Sequence, residues 1–194
     1  MREPLQRWIV VVGGFTQSRY SGGLRKVWLG LMSRHPEPEV RVTSHPWNDD
    51  WRGLADVMEQ ELRESGSLCP VDIVCYSWGV GYGAMQLSRE LKSLGVRVRV
   101  VVSCDGVSRP WFTRWRALWS PLLDRFIGEP KIRVPGNVER VVYMRQQTNR
   151  PKGHSFWAEN GTEFEDRGYL PKGWTHQDAD NSTEFFNLAM EICG

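Results

Sequence analysis

Cysteine is scarce in this chain. Four residues, Cys69, Cys75, Cys104 and Cys193, form no C-x-x-C pair and no zinc-ligand spacing, so neither a disulfide framework nor a metal site is expected. No run of five or six like charges occurs and the formal net charge is only +2, which leaves no electrostatic footprint for nucleic acid. Long apolar stretches are missing too. Nothing approaches the roughly 20 residues of a membrane span. The first apolar run, Trp8 to Val12, is too short for a secretory leader and ends in Gly13-Gly14. A reduced, cytoplasmic chain is therefore expected. Internal repeats and low-complexity segments are absent. Histidine is sparse as well, with four residues, so a general base has few candidates.

What is present is an ordinary globular composition, 40% hydrophobic and 25% charged over 194 residues, which suits one domain spanning 1–194. Arg7 to Val12 (RWIVVV) is a continuous β-branched run, the pattern of a strand buried on both faces of a parallel sheet. Leu24 to Met32 reads as a helix, closed by His35-Pro36-Glu37-Pro38. Val40 to Ser44 alternates, as a strand nearer a sheet edge would, and Trp51 to Ser65 is an amphipathic helix. Val71 to Val74, Val96 to Ser103 and Val138 to Met144 supply three more strands, and Asn181 to Cys193 a final helix. Residues 145–175 read as one long polar connection. Strands alternating with helices predict a doubly wound, mostly parallel α/β sheet of five to six strands with helices on both faces. Right-handed crossovers put strands one and three side by side.

Ligands in such sheets bind at the carboxyl ends of the strands, where Gly14-Phe15, Ser77 and Asp105 all fall. Ten tryptophans add aromatic surface. Within 106–137, Trp111 and Trp115 recur at helical spacing with Leu118, Leu122 and Phe126. This segment is either a crossover helix packed on the sheet or a Trp-rich lid and substrate wall, hinged near Pro110 and Pro121.

The stretch Val71 to Gly83, VDIVCYSWGVGYG, carries the sharpest chemical signal. A strand runs into Cys75-x-Ser77-x-Gly79 and then into a helix rich in small residues. A serine at so tight a turn needs small flanks two positions to either side. Two blander readings stand beside this one. Ser77 can be a helix N-cap with glycines that only allow close packing. A dinucleotide loop fits less well, because Gly79-x-Gly81-x-Gly83 lacks the required spacing and position 100 is Val.

The pentapeptide resembles the nucleophile elbow of the α/β-hydrolase superfamily, with Cys75 in place of the first glycine. The chain is similar to compact members of cutinase or thioesterase size, without the first two antiparallel strands or a large cap. The resemblance implies Ser77 as nucleophile and the backbone N–H groups of Trp78 and Phe15 as oxyanion donors. Gly14 then permits close backbone approach, and Tyr76, Trp111 and Trp115 lie towards substrate. It places the base in a loop before the last helix, which fits His176; His154 and His45 stay as alternatives. Asp105 follows a strand between the serine and the histidine in sequence. Family members more often carry the acid one strand later, where Glu159, Glu163, Glu165 and Asp166 are on offer. The implied activity is cleavage of a small-molecule carboxylic ester or thioester through an acyl-enzyme, without cofactor. Three other readings share the residues: an acyltransferase, a non-catalytic binding module on the same fold, and a metal centre using His176, Asp178, Asp180, His45 and Asp49.

Overall fold

The computed structural model describes residues 5–15, 22–66, 70–108, 131–149 and 151–194. In chain order these form β1 (Arg7–Val12), α1 (Gly23–Arg34), β2 (Val40–His45), α2 (Trp51–Glu64), β3 (Val71–Tyr76), α3 (Met85–Ser93), β4 (Val98–Cys104), β5 (Ile132–Val134), β6 (Val138–Arg145), β7 (Phe156–Ala158), β8 (Glu163–Tyr169) and α4 (Thr183–Cys193). A π-helical turn, Gly79–Ala84, leads into α3, and a short 3-10 turn, Ala179–Asn181, precedes α4.

Six strands make one sheet in the order β2-β1-β3-β4-β6-β8, and every pair in it is parallel. Consecutive side chains on a strand point to opposite faces, so the β-branched runs feed two cores. Val10, Val12, Ile73, Cys75 and Val101 pack towards α2 and α3. Ile9, Val11, Val74, Val102 and Val142 pack towards α1 and α4. Each such side chain taken wholly out of water contributes roughly 1.5–3 kcal/mol, which is why the central strands contain almost nothing polar. The expected adjacency of β1 and β3 is present, and β2 forms one edge.

One polar group is embedded at the amino end of the sheet. Asp72 is fully buried and accepts from Arg7 Nε at 2.6 Å and from Arg99 Nε at 2.8 Å. Both guanidinium groups also donate to the Ile192 carbonyl, at 3.4 and 3.2 Å. They thereby tie β1, β3 and β4 to the last turn of α4, where positive charge complements the unpaired carbonyls.

The polar connection expected over 145–175 is corrected: it contains β7 and β8, and β8 completes the sheet at six strands. The sequence of β8, EFEDRGY, is charged because the strand lies at the edge with much of its length exposed, a position where charge blunts strand-to-strand association. β5 and β7 pair as a separate two-stranded ladder, so the end of the 106–137 segment is a strand and turn. Residues 109–130 of that segment, with Trp111 and Trp115, lie outside the described residues, as does Cys69. No helix among the described residues is long and apolar enough to cross a membrane.

Candidate active site

β3 ends at Tyr76, and the chain then reverses at Ser77 with φ 54°. Among the described residues, only Ser77 and Asp105 (φ 46°) are non-glycine residues at positive φ, a conformation costing about 1–2 kcal/mol per residue. Both are candidates for the chemistry. The turn is closed by hydrogen bonds from the Val80 and Val107 N–H groups to the Ser77 carbonyl, at 3.1 and 2.9 Å. A Cβ on Gly79 would lie 2.7 Å from the Val12 carbonyl oxygen, so the second small flank is required where the helix crosses the end of β1. Cys75, the other flank, is fully buried with its thiol against the Val102 carbonyl at 3.5 Å. Desolvation holds that thiol protonated, well above its ordinary range.

Ser77, His176 and Asp105 stand in one hydrogen-bonded line. Ser77 Oγ is 2.8 Å from His176 Nε2, and His176 Nδ1 is 2.5 Å from Asp105 Oδ2. All three residues are buried, the aspartate completely. Its other oxygen, Oδ1, accepts the backbone N–H groups of Gly153 at 2.7 Å and Gln146 at 3.2 Å, which offsets the cost of removing a carboxylate from water. The arrangement can draw a proton from the serine to an imidazole whose tautomer the aspartate fixes.

The remaining candidates fall around this line. A Cβ on Gly14 would lie 3.1 Å from Ser77 Cβ, so the end of β1 runs against the serine. Phe15 is 56% exposed, with its ring 5.7 Å from that of Trp78, the residue after the serine. Tyr76, expected towards substrate, is instead buried beneath the histidine: it stacks on His176 at 5.6 Å and its hydroxyl donates to the His176 carbonyl. Burial also holds its phenol protonated.

The alternative bases and acids are engaged elsewhere. His154 accepts the Ser108 N–H on Nδ1 at 3.1 Å, His45 Nδ1 meets Asp49 at 2.7 Å, and His35 meets Glu37 and the Cys193 carbonyl. Glu159 pairs with Lys92 and Arg133, Glu165 with Arg140 and Arg167, and Asp166 with Arg145, while Glu163 starts the edge strand β8. Of the carboxylates proposed for a metal, Asp178 accepts from the Thr175 hydroxyl. Asp180 accepts the Gly23 and Leu24 N–H groups at the start of α1.

No family model matches the chain and no curated protein matches it significantly. Among solved structures, the RedJ thioesterase of the prodiginine biosynthetic pathway in Streptomyces coelicolor superposes with a TM-score of 0.54 at 12% identity, covering 97% of this chain and 85% of that one. A second RedJ structure, with a PEG molecule bound in the active site, gives 0.52 at 12% identity over 97% and 89%. A protein of the alpha/beta hydrolase superfamily from Xanthomonas campestris pv. campestris gives 0.46 at 14% identity over 96% and 99%. The chain has the α/β-hydrolase fold.

Within this hydrolase fold, the loop after β6 holds a support that sequence reasoning misses. Gln146 is 1% exposed, with its side-chain amide accepting from the Thr148 and Asn149 N–H groups and donating to the Asn149 and Pro151 carbonyls. The loop so folded presents Asn149 Oδ1 to the His176 N–H at 2.6 Å. A Gln-Gln pair and an Asn in a polar stretch carry no spacing signal. The rings of Trp47 and Tyr82, 5.9 and 4.8 Å from that of Trp78, are not singled out from the sequence either, although Tyr82 lies one helical turn beyond Trp78 and Trp47 follows the carboxyl end of β2.

Proposed function

We propose that this protein is a serine hydrolase that cleaves a small-molecule carboxylic ester or thioester. The observation that carries the reading is the unbroken line from Ser77 Oγ through His176 to Asp105 at a strained strand-to-helix turn. The likeness to a thioesterase keeps thioesters in the substrate class.

In this reading Ser77 Oγ attacks the carbonyl carbon while His176 Nε2 takes the hydroxyl proton. The carbonyl π electrons move to oxygen, and the resulting oxyanion is met by the N–H groups of Trp78 and Phe15. Collapse of the tetrahedral species expels the alcohol or thiol, which leaves with the proton from His176. Water then attacks the acyl-enzyme with the same base, releasing the acid and restoring Ser77. Asp105 holds the imidazole with its proton on Nδ1 throughout.

The test is labelling with a fluorophosphonate, read by intact mass, on wild type, Ser77→Ala and His176→Ala. A single adduct on wild type is expected, absent in Ser77→Ala and slowed at least 1,000-fold in His176→Ala, on the order of the loss when a triad member is removed. A folded wild-type protein that takes no adduct refutes the reading and favours the non-catalytic module. If the serine labels but a thioester substrate turns over only with an added alcohol or amine, which leaves as the ester or amide, the protein is an acyltransferase.

A further inference from the structure

Among the described residues, four aromatic rings gather beside Ser77. Phe15 lies 5.7 Å from both Trp47 and Trp78, Trp47 is 5.9 Å from Trp78 and 6.1 Å from Tyr82, and Trp78 stacks on Tyr82 at 4.8 Å with planes 11° apart. The rings come from three separate segments: the end of β1, the loop after β2 and the turn after Ser77. Phe15 is exposed and the other three are partly so. Rings brought together from three segments beside a nucleophile, with Phe15 exposed and the others only partly buried, form more than a core.

Their position decides which half of a substrate they meet. The leaving group must lie at His176 Nε2, since that nitrogen protonates it. His176 stacks on Tyr76 on the α1/α4 face of the sheet, with Asp105 on the β4 side of Ser77. Phe15 and Trp47 follow β1 and β2, on the side of β3 away from β4, and Trp78 and Tyr82, from the turn after β3, meet their rings on that flank. The four rings therefore face the acyl half.

We propose that Phe15, Trp47, Trp78 and Tyr82 form the acyl-binding wall of the site and select an acyl group that carries an aromatic ring. The proposal rests on the serine hydrolase reading. The rings already meet one another tilted, edge-on and stacked, so faces and edges are both presented. A planar guest gains ring-to-ring contact there beyond the area it buries, whereas a linear chain gains the area alone.

The experiment uses boronic acids, which bond reversibly to an activated serine with the boron substituent on the acyl side. 2-Phenylethylboronic acid and n-hexylboronic acid are compared by how strongly each slows fluorophosphonate labelling of the full chain. Wild type is expected to bind the phenyl compound about 2- to 12-fold more tightly, the range for one aromatic pair. That ratio should fall towards 1 in Trp47→Leu and in Phe15→Leu. Because the ratio is taken within each variant, a general loss of activity cancels, and the exposed Phe15 supplies the test if Trp47→Leu does not fold. Equal or reversed affinities in a wild type that labels normally overturn the aromatic wall and leave the hydrolase reading standing. A ratio unchanged in Phe15→Leu, and in Trp47→Leu where it folds, overturns it as well. A wild type that never labels removes both.

Discussion

Asp105→Asn is the substitution whose outcome the geometry constrains most. In wild type, Oδ1 accepts two backbone N–H groups, from Gly153 and Gln146, and Oδ2 faces His176 Nδ1. An asparagine must place its carbonyl oxygen where two N–H groups converge, because its NH2 there would meet two donors. The NH2 is then forced towards Nδ1, which can only accept it. The imidazole proton moves to Nε2, the nitrogen that faces Ser77 Oγ, and the base is lost with almost no change of shape. The expected slowing of acylation is on the order of 10⁴-fold, or about 5.5 kcal/mol. Asp105→Ala behaves differently. It leaves two N–H groups without an acceptor, at about 1–3 kcal/mol each, but lets the imidazole adopt either tautomer. The alanine variant should therefore be less stable than the asparagine variant and yet label faster. Fluorophosphonate labelling rates and thermal midpoints on the same samples test that crossed order. An Asp105→Asn protein labelling within tenfold of wild type would refute Asp105 as the orienting acid.

Three further outcomes follow from other parts of the molecule. Asn149→Ala removes the acceptor of the His176 N–H and should slow labelling about 10- to 100-fold, as expected when the base is misplaced by up to an ångström; Asn149→Asp, which keeps the acceptor, should restore most of the rate. Asp72→Ala strands Arg7 and Arg99 at the far end of the sheet, costing about 2–4 kcal/mol because both arginines keep some contact with water. By calorimetry the midpoint should drop by about 5–15 °C, with the labelling rate per folded molecule unchanged; a shift under 2 °C would show that the cluster is not needed. Cys75, Cys104 and Cys193 are fully buried, and desolvation pushes Cys193 up to about 12 and the other two well above their usual range, so a thiol reagent at pH 8 should find at most one fast cysteine, Cys69, until the protein unfolds. Two fast thiols would contradict the burial of Cys75, Cys104 or Cys193.

The central sheet is legible because burial on both faces leaves a direct trace. RWIVVV and VRVVVSC have few other uses, and the segments that read as strands β1, β3, β4 and β6 form the middle of the sheet. The same logic hides β8. An edge strand solvated along most of its length is free to be acidic and basic by turns, so its sequence looks like a loop. Ser77, His176 and Asp105 are singled out by position relative to strand ends and the last helix, and their side chains do meet in one hydrogen-bonded line; their role as a triad is the proposal. The support was not legible. Asn149 accepts the backbone N–H of His176 and Gln146 gives its own N–H to the Asp105 carboxylate, both far away in sequence, and such partners become apparent only once β6 lies beside β4. Tyr76 shows the same limit: its place in the chain suggests access to a ligand, while its hydroxyl is turned to the His176 carbonyl.

The placement of Asp105, the proposed acid, follows from the sheet itself. Tyr76 and Cys104 are partners in the β3–β4 ladder, and Cys104 is partnered by Met144 of β6. One residue further on, Ser77 and Asp105 are neighbours across adjacent strands. At both, the backbone turns left-handed while its N–H stays in the ladder, Ser77 donating to the Cys104 carbonyl at 3.2 Å and Asp105 to the Met144 carbonyl at 2.8 Å. Each strained residue thus keeps the hydrogen bond that regular strand would have given it, which helps offset the cost of its φ. Both side chains leave the sheet edge at the same level, close enough for one imidazole to span them. The proposed acid is at the end of β4, and the end of β6 carries no carboxylate. Its first loop residue, Gln146, gives an N–H to Asp105 and folds the loop that carries Asn149 to the histidine. In the proposed triad, the strand end where the resembled family more often carries the acid works as the support of an acid one strand away.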